Sequence, residues 1–590
     1  MNRRAIWMGA AALALAWTAA SPVMATPGDD LDQLIDDYWQ YALSQNPVFA
    51  SALNVPGYEG KVSDPSLEAQ DARVERSRAF LTRLEAIDSA ALTPEQRVNY
   101  GILQRSLNES IESNGFGQRV INFTNRSGWH QSFAGMGTNS PFRNAADYQS
   151  YVDRLEQYPL INDTNIAIAE QAIAGGYTLP CDAMQGYETS ITGLIAEDPK
   201  TTRFYQPFTR PKPAVMEQAE FDALAERTER IITDVINPEL RQHADWYVSR
   251  YAPACAVAPG VSAQPGGDAY YAFRIRQMTT TELTADEIHA IGLNEVARIR
   301  AEMEKVAAEA GYDSREAFIE HLRTDPKYYA RTPEELMEKV ARVTKVIDGK
   351  MPSLFGRLPR LPYGIREIPA ETAEGTTTAY YNPGSPEIGI SGTYYVNTSK
   401  LDQRPYWEIP ALSVHEAVPG HHHQIALQQE LDMPEFRKYG SFFTAFVEGW
   451  GLYSERLGIE MELYDTPAKN MGRLSYEMWR ACRLVVDTGI HSKGWSKQQA
   501  LDFMLDNTAL TPANIEAEVN RYISWPGQAL AYKIGELKIR ELRSKAEETL
   551  GADFDLRAFH DTVLEQGAVP LDVLDAHVTA WIAAQQGSEG

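Results

Sequence analysis

Four of the chain's 11 histidines fall between positions 415 and 423, inside the stretch PALSVHEAVPGHHHQIALQ (410–428). His-Glu followed by a further His on a helix is the pattern of a zinc hydrolase. Two imidazoles hold the cation, and the Glu beside the first acts on a water. The spacing here is unusual. His415 and His421 are six positions apart, which on an unbroken helix is about 120° off-face and about 9 Å along the axis. Such a pair cannot reach one ion whose bonds to nitrogen are about 2 Å. Pro419-Gly420 lies between them, and a Pro-Gly pair breaks or kinks a helix. The sequence therefore predicts a kink or bulge that returns His421 toward His415.

His415, Glu416, Pro419, Gly420, His421 and Gln424 together read HExxPGHxxQ. This resembles the signature of the bacterial domain-of-unknown-function 885 family, which is regarded as zinc-metallopeptidase-like. The resemblance continues through TAFVEGWGLYSE (444–455), RLVVDTGIHSKGW (483–495) and RYISWPGQALAYKIG (521–535). It covers most of the chain and is most specific over 375–540. It implies a mostly helical fold related to the gluzincin peptidases, with hydrolytic activity.

A zinc site wants a third protein ligand and an open position for water. Glu448 sits in the apolar run AFVEGWGLY, where a carboxylate is costly to bury unless paired or metal-bound. The resemblance also places the third ligand there. Glu455, seven residues on, is expected to orient a ligand histidine from behind. Glu416 is expected as general base, taking a proton from water and delivering it to the leaving amine. Related zinc peptidases bring a His or Tyr from a later helix or loop to the developing negative charge; His491 and Tyr522 are the candidates here. Arg521 is an alternative donor or a receptor for a substrate carboxylate. Asp487, four before His491, is expected to orient that ring, and Gln424 to hydrogen-bond near the metal helix. His422 and His423 cannot both join His421 as ligands.

The elements that must carry these residues are mostly helices. Residues 28–114, 146–197, 214–250 and 556–586 carry apolar residues at helical spacing. Thr284 with Glu287 is a capping box for another helix. Segment 115–142, rich in Gly, Asn and Ser, reads as a loop with a short strand. Residues 361–399 are rich in Thr, Tyr, Ile and Val between Gly and Pro, and predict two or three short strands. An edge strand there would pair with an extended peptide, with Tyr380, Tyr381 and the Gly392-Thr393-Tyr394-Tyr395 run as candidate substrate contacts. The fold class expected is mainly α: a large helical, cleft-containing, metallopeptidase-like fold with a small β-sheet beside the metal helix. An irregular stretch at 252–268 divides an N-terminal lobe (26–260) from a catalytic lobe (261–590).

The net charge of −25 argues against nucleic acid and anionic membranes as partners. Residues 1–25 read as a secretory leader: Arg3-Arg4, an apolar run, then Val23-Met24-Ala25 before Thr26. No cysteine lies near that cleavage point for lipid attachment, and no later run is apolar enough to span a bilayer. The protein is expected to be exported, periplasmic or extracellular. Export permits a disulfide, expected between Cys181 and Cys255, with Cys482 a buried thiol. The leading expectation is a zinc metallopeptidase of short peptides. The alternatives are a zinc hydrolase of another amide or ester, and a non-catalytic periplasmic metal-binding protein. The sequence is silent on oligomeric state.

Overall fold

Helix starts follow the capping chemistry. In the computed structural model, which describes residues 26–138, 140–373 and 376–587, Thr26 caps α1 (Pro27–Gln45), Ser66 caps α2 (Leu67–Glu85) and Thr93 caps α3 (Pro94–Asn114). Each cap side chain accepts a hydrogen bond from a backbone N–H of the first turn. Thr284 and Glu287 form the expected capping box and open α4 (Ala285–Glu309). The leader read in residues 1–25 lies outside the described residues. Helix makes up 69% of the chain, so the class is mainly α. Stretch 115–142 differs from the loop with a short strand expected there: among its described residues it forms the short helix Trp129–Gly135 between two 3-10 turns, Gly117–Val120 and Met136–Thr138, and no strand.

The second half carries α5 (Ile409–Glu416), α6 (His421–Glu430), α7 (Thr444–Leu457), α8 (Pro467–Lys493), α9 (Pro512–Ser524), α10 (Ala531–Leu550) and α11 (Leu571–Gly587). Helix α8 is buried on nearly every side, with α4 lying along it. Helix α7 lies along α10. Gly449 and Gly535 set that approach: a Cβ on Gly535 would stand 1.9 Å from the Ala445 carbonyl oxygen. No larger residue fits while the two backbones are this close.

The largest hydrophobic cluster joins Leu31 through Leu107 to side chains between Val261 and Ile582. Helices α1 to α3 thus share a core with the C-terminal helices, across the boundary expected near residue 260. A separate aromatic-rich cluster is built wholly from residues between Phe123 and Tyr251. The disulfide Cys181–Cys255 ties the ends of part of this segment together, and Cys482 is a buried free thiol.

Three strands form in the expected region: β1 (Tyr363–Glu367), β2 (Ala379–Asn382) and β3 (Gly392–Val396). Their order is β1-β3-β2, with β1 parallel and β2 antiparallel to β3. Tyr394 therefore lies on the central strand. It is fully buried, its hydroxyl 3.5 Å from Ser413 Oγ on α5, and it cannot meet a peptide along an edge. Strand β2, at the sheet edge, is the one whose Tyr380 and Tyr381 line the site. Among the described residues no helix is long and apolar enough to cross a membrane.

Candidate metal centre and its cavity

Helix α5 ends at Glu416, where the Ala417 backbone leaves helical geometry (φ −96°, ψ −114°). A turn with a cis Val418–Pro419 bond follows. It is held by Gly420 N–H donating to the Val414 carbonyl (2.9 Å) and by Trp450 Nε1 donating to the Pro419 carbonyl (2.7 Å). Helix α6 then starts at His421. The expected kink is a complete break, and the two imidazoles end with centroids 4.7 Å apart at 85°.

Glu448, on α7, faces both. Its Oε2 lies 3.6 Å from His415 Nε2 and 3.4 Å from His421 Nε2. Ligand atoms of all three residues fall within 4.8 Å of one another. Glu455 stands behind the first histidine, 2.9 Å from its Nδ1. Nδ1–H donates to that carboxylate, so Nε2 is the nitrogen turned toward Glu448. Two imidazole nitrogens facing a buried carboxylate oxygen that has no hydrogen-bond partner of its own need a positive charge among them, either a proton on an imidazole or a metal ion in its place. Burial by itself would depress His415, but the Glu448 and Glu455 carboxylates beside it outweigh that and hold it up at about 9. Burial likewise works against an ionised Glu448, yet the two histidines hold its carboxyl well below the usual range. Two neutral imidazoles and one carboxylate are the donor set of a divalent transition metal, zinc being the common occupant. The residues fit.

The α7 backbone is shaped for the first ligand. A Cβ on Gly451 would stand 2.8 Å from His415 Cε1, so the ring lies flat against the helix where Gly451 leaves room. Arg480 Nη2 is 3.2 Å from the same Glu455 oxygen. Converting Glu455 to Ala removes the group that fixes His415's tautomer and rotation. Zinc affinity, measured by competition with a chromophoric chelator, is expected to fall about 10–100-fold; unchanged affinity would contradict this role.

A cavity of about 520 Å³ opens over the cluster. His415, Glu416, His421 and Glu448 line one side. Tyr380 and Tyr381 of β2 line another, and Trp479, Arg480, Arg483, Arg521 and Tyr532 a third. Thr124 to Ser127, from the otherwise separate aromatic-rich segment, complete the rim. Tyr532 stacks 6.4 Å from His415 at 17°. Its hydroxyl oxygen accepts from Arg521 Nη2 (3.3 Å) and Gln528 Nε2 (3.4 Å).

The other residues singled out from sequence fall elsewhere. His491 does not line the cavity: Nδ1 accepts from Val261 N–H (3.1 Å) and Nε2–H donates to the Tyr522 carbonyl (2.9 Å). The Tyr522 hydroxyl is buried beneath Trp479 Nε1 and Arg483 Nε, each 2.9 Å away. Asp487 accepts from Tyr271 (2.6 Å) and the Gly527 N–H, and does not orient His491. Gln424 donates to Gln428 rather than to a ligand. Tyr395 stacks on Tyr380 and lines a second cavity of about 630 Å³. Arg521 does reach the first cavity. Of the remaining two histidines in the run, His422 accepts from Tyr381 and donates to the Leu361 carbonyl, while His423 packs against Phe355. The sequence reading passed over Arg480 and Arg483, although two arginines three apart in the apolar run MWRACRLVV are as anomalous as Glu448 in its own run.

Buried neutral histidines give the fold an acid limit. Burial pushes His491 and His130 down to about 4 and His560 to about 3. Each folded value lies below the unfolded value of about 6.5. The unfolded chain therefore takes up protons first, and stability present above pH 6.5 is lost as pH falls toward 4, at about 1.4 kcal/mol per unit per histidine. The urea midpoint should be lower at pH 5 than at pH 7; equal midpoints would contradict it.

A mainly helical protein with two imidazoles and a carboxylate converging at a cavity wall, able to hold a metal ion, is what fold and site define. The chain belongs to the family described as "Bacterial protein of unknown function (DUF885)", whose model matches residues 47–578. Among solved structures it is similar to "the putative lipoprotein from Colwellia psychrerythraea" (TM-score 0.88, 26% identity, covering 95% of this chain and 100% of that one). It is also similar to "a putative lipoprotein of unknown function from Shewanella oneidensis" (TM-score 0.69, 19% identity, 94% and 99%); the second likeness is one of fold alone. No curated protein matches the chain.

Proposed function

We propose that this protein is an exported, zinc-dependent hydrolase that cleaves short peptides. The observation that carries the reading is the convergence of His415, His421 and Glu448 from either side of a broken helix and from a neighbouring one, beside Glu416 in one cavity. When bound, zinc supplies a Lewis acid that activates water and polarises a carbonyl.

The rest is the work of the chain. Glu455 keeps His415 in the tautomer that offers Nε2. Glu416, nine-tenths buried at the cavity wall, accepts the proton of the attacking water and passes it to the leaving amine. Tyr532, whose oxygen already accepts two hydrogen bonds, has its own proton free to donate to the scissile carbonyl oxygen. Strand β2, at the sheet edge and lining the cavity, is the place where an extended substrate would add by main-chain hydrogen bonds, which favours a peptide over a small ester. A cell-envelope location draws support from the leader-like sequence of residues 1–25, the Cys181–Cys255 disulfide and the lipoprotein description of the Colwellia psychrerythraea relative.

The test is a peptide library and an ester panel incubated with the zinc-loaded chain, read by mass spectrometry. Metal-dependent peptide cleavage is expected. Ester turnover alone moves the substrate class, and no turnover of either overturns the reading.

A further inference from the structure

The cavity wall opposite the metal cluster carries more positive charge than it neutralises. Arg126, Arg483 and Arg521 all line the cavity, and all three face one carboxylate, Glu518, at 3.6, 2.8 and 3.6 Å. Glu518 is fully buried, and although burial opposes its charge the three guanidinium groups keep it ionised, at about 2. It balances one of the three. Arg480 is already engaged with Glu455.

Arg483 is the most constrained of the set. It is 2% exposed. Its carbon lies 4.5 Å from the Trp479 ring and 4.2 Å from the Tyr532 ring, a cation–π clamp that fixes its plane. Nε donates to Tyr522 and Nη2 to Glu518. Nη1 is buried with no partner. A buried guanidinium nitrogen left unpaired, on a wall with surplus positive charge, is the receptor geometry for an incoming carboxylate. Tyr532 also fixes its distance from the chemistry, since the same ring stacks 6.4 Å from His415. Receptor and metal ligand neighbour the same ring, a gap of about one or two extended residues at roughly 3.5 Å each once the contacts at either end are allowed for.

We propose that Arg483, flanked by Arg126 and Arg521, receives the free C-terminal carboxylate of a peptide, and that the site removes one or two residues from the carboxyl end. This rests on the hydrolase reading above. In the reaction, water adds across the peptide bond one or two residues before that carboxylate. A C–O bond forms, the C–N bond breaks, and the proton passes through Glu416 to the departing amine, releasing an amino acid or dipeptide.

The probes are N-acetylated tripeptide libraries made as free C-terminal acids and as their C-terminal amides. Binding to the zinc-loaded Glu416→Gln chain is measured by calorimetry, and cleavage by the wild-type chain is mapped by mass spectrometry. The acids should bind at least about tenfold tighter and be cut about 100-fold faster, the scale of leaving a buried charge unpaired. Products should map to the carboxyl end. Arg483→Met, checked for folding by its melting curve, should shrink the acid-to-amide ratio to about threefold or less. Equal binding of acids and amides, no binding of either, or a preference that follows Asp and Glu side chains in the amide library would each overturn the assignment. If the acids are preferred in binding but nothing is cleaved, the receptor stands and the hydrolase reading falls.

Discussion

Glu416→Gln is expected to lower peptide turnover by about three orders of magnitude while one equivalent of zinc stays bound. A positioned general base is worth about 10²–10⁴ in rate, and the amide cannot accept the proton. Glu416 is the residue after a ligand yet lies outside the three-donor cluster, so its loss separates chemistry from binding. Gln keeps the shape of a side chain that is nine-tenths buried. A metal-sequestering protein would show no consequence of the change. Turnover equal to wild type, or loss of the metal with the proton acceptor, would remove Glu416 from the role assigned to it.

Glu448→Ala should have the opposite signature, with metal and activity lost together. Groups behind a ligand cost about 10–100-fold in affinity when removed, so the ligand itself should cost on the order of 1000-fold or more. Among the described residues Glu448 is also the carboxylate within 4 Å of both His415 Nε2 and His421 Nε2. Without it, two imidazoles alone remain, too few for a stable site. Zinc titration of the two chains side by side reads this directly. An affinity within tenfold of wild type would mean that the third donor lies elsewhere.

The residues that were legible in the sequence share a property: each breaks a local rule. Pro419-Gly420 cannot continue a helix, and Glu448 does not belong in an apolar run unless something holds it. Those violations located the break and the converging carboxylate without knowledge of the fold. Glu455, one heptad beyond Glu448, could be placed on the same face of α7 by periodicity alone. The failures have the converse cause. Helix α8 is buried almost all round, so spacing along it does not say which face meets the cavity. Arg480 and Arg483 point to the site, whereas His491, eight residues and about 12 Å further along the axis, packs against the Val261 turn. Tyr394 was misplaced because strand order is not local: β3 sits between β1 and β2, which inserts the later strand in the middle and leaves the earlier β2 as the edge. The contribution of Arg126 depends on a loop some 290 residues before the metal helix in sequence, and composition has no means of showing such a contact. The shared core of α1–α3 with α11 is hidden for the same reason.

The central claim is that three side chains grip one cation, and diffraction at the zinc absorption edge from a crystal of the zinc-loaded chain tests it most directly. The account predicts a single anomalous peak at about 2 Å from His415 Nε2, His421 Nε2 and a Glu448 carboxylate oxygen, with Glu455 still bonded to His415 Nδ1. A peak on His422 or His423 instead, or none near this cluster, would contradict it.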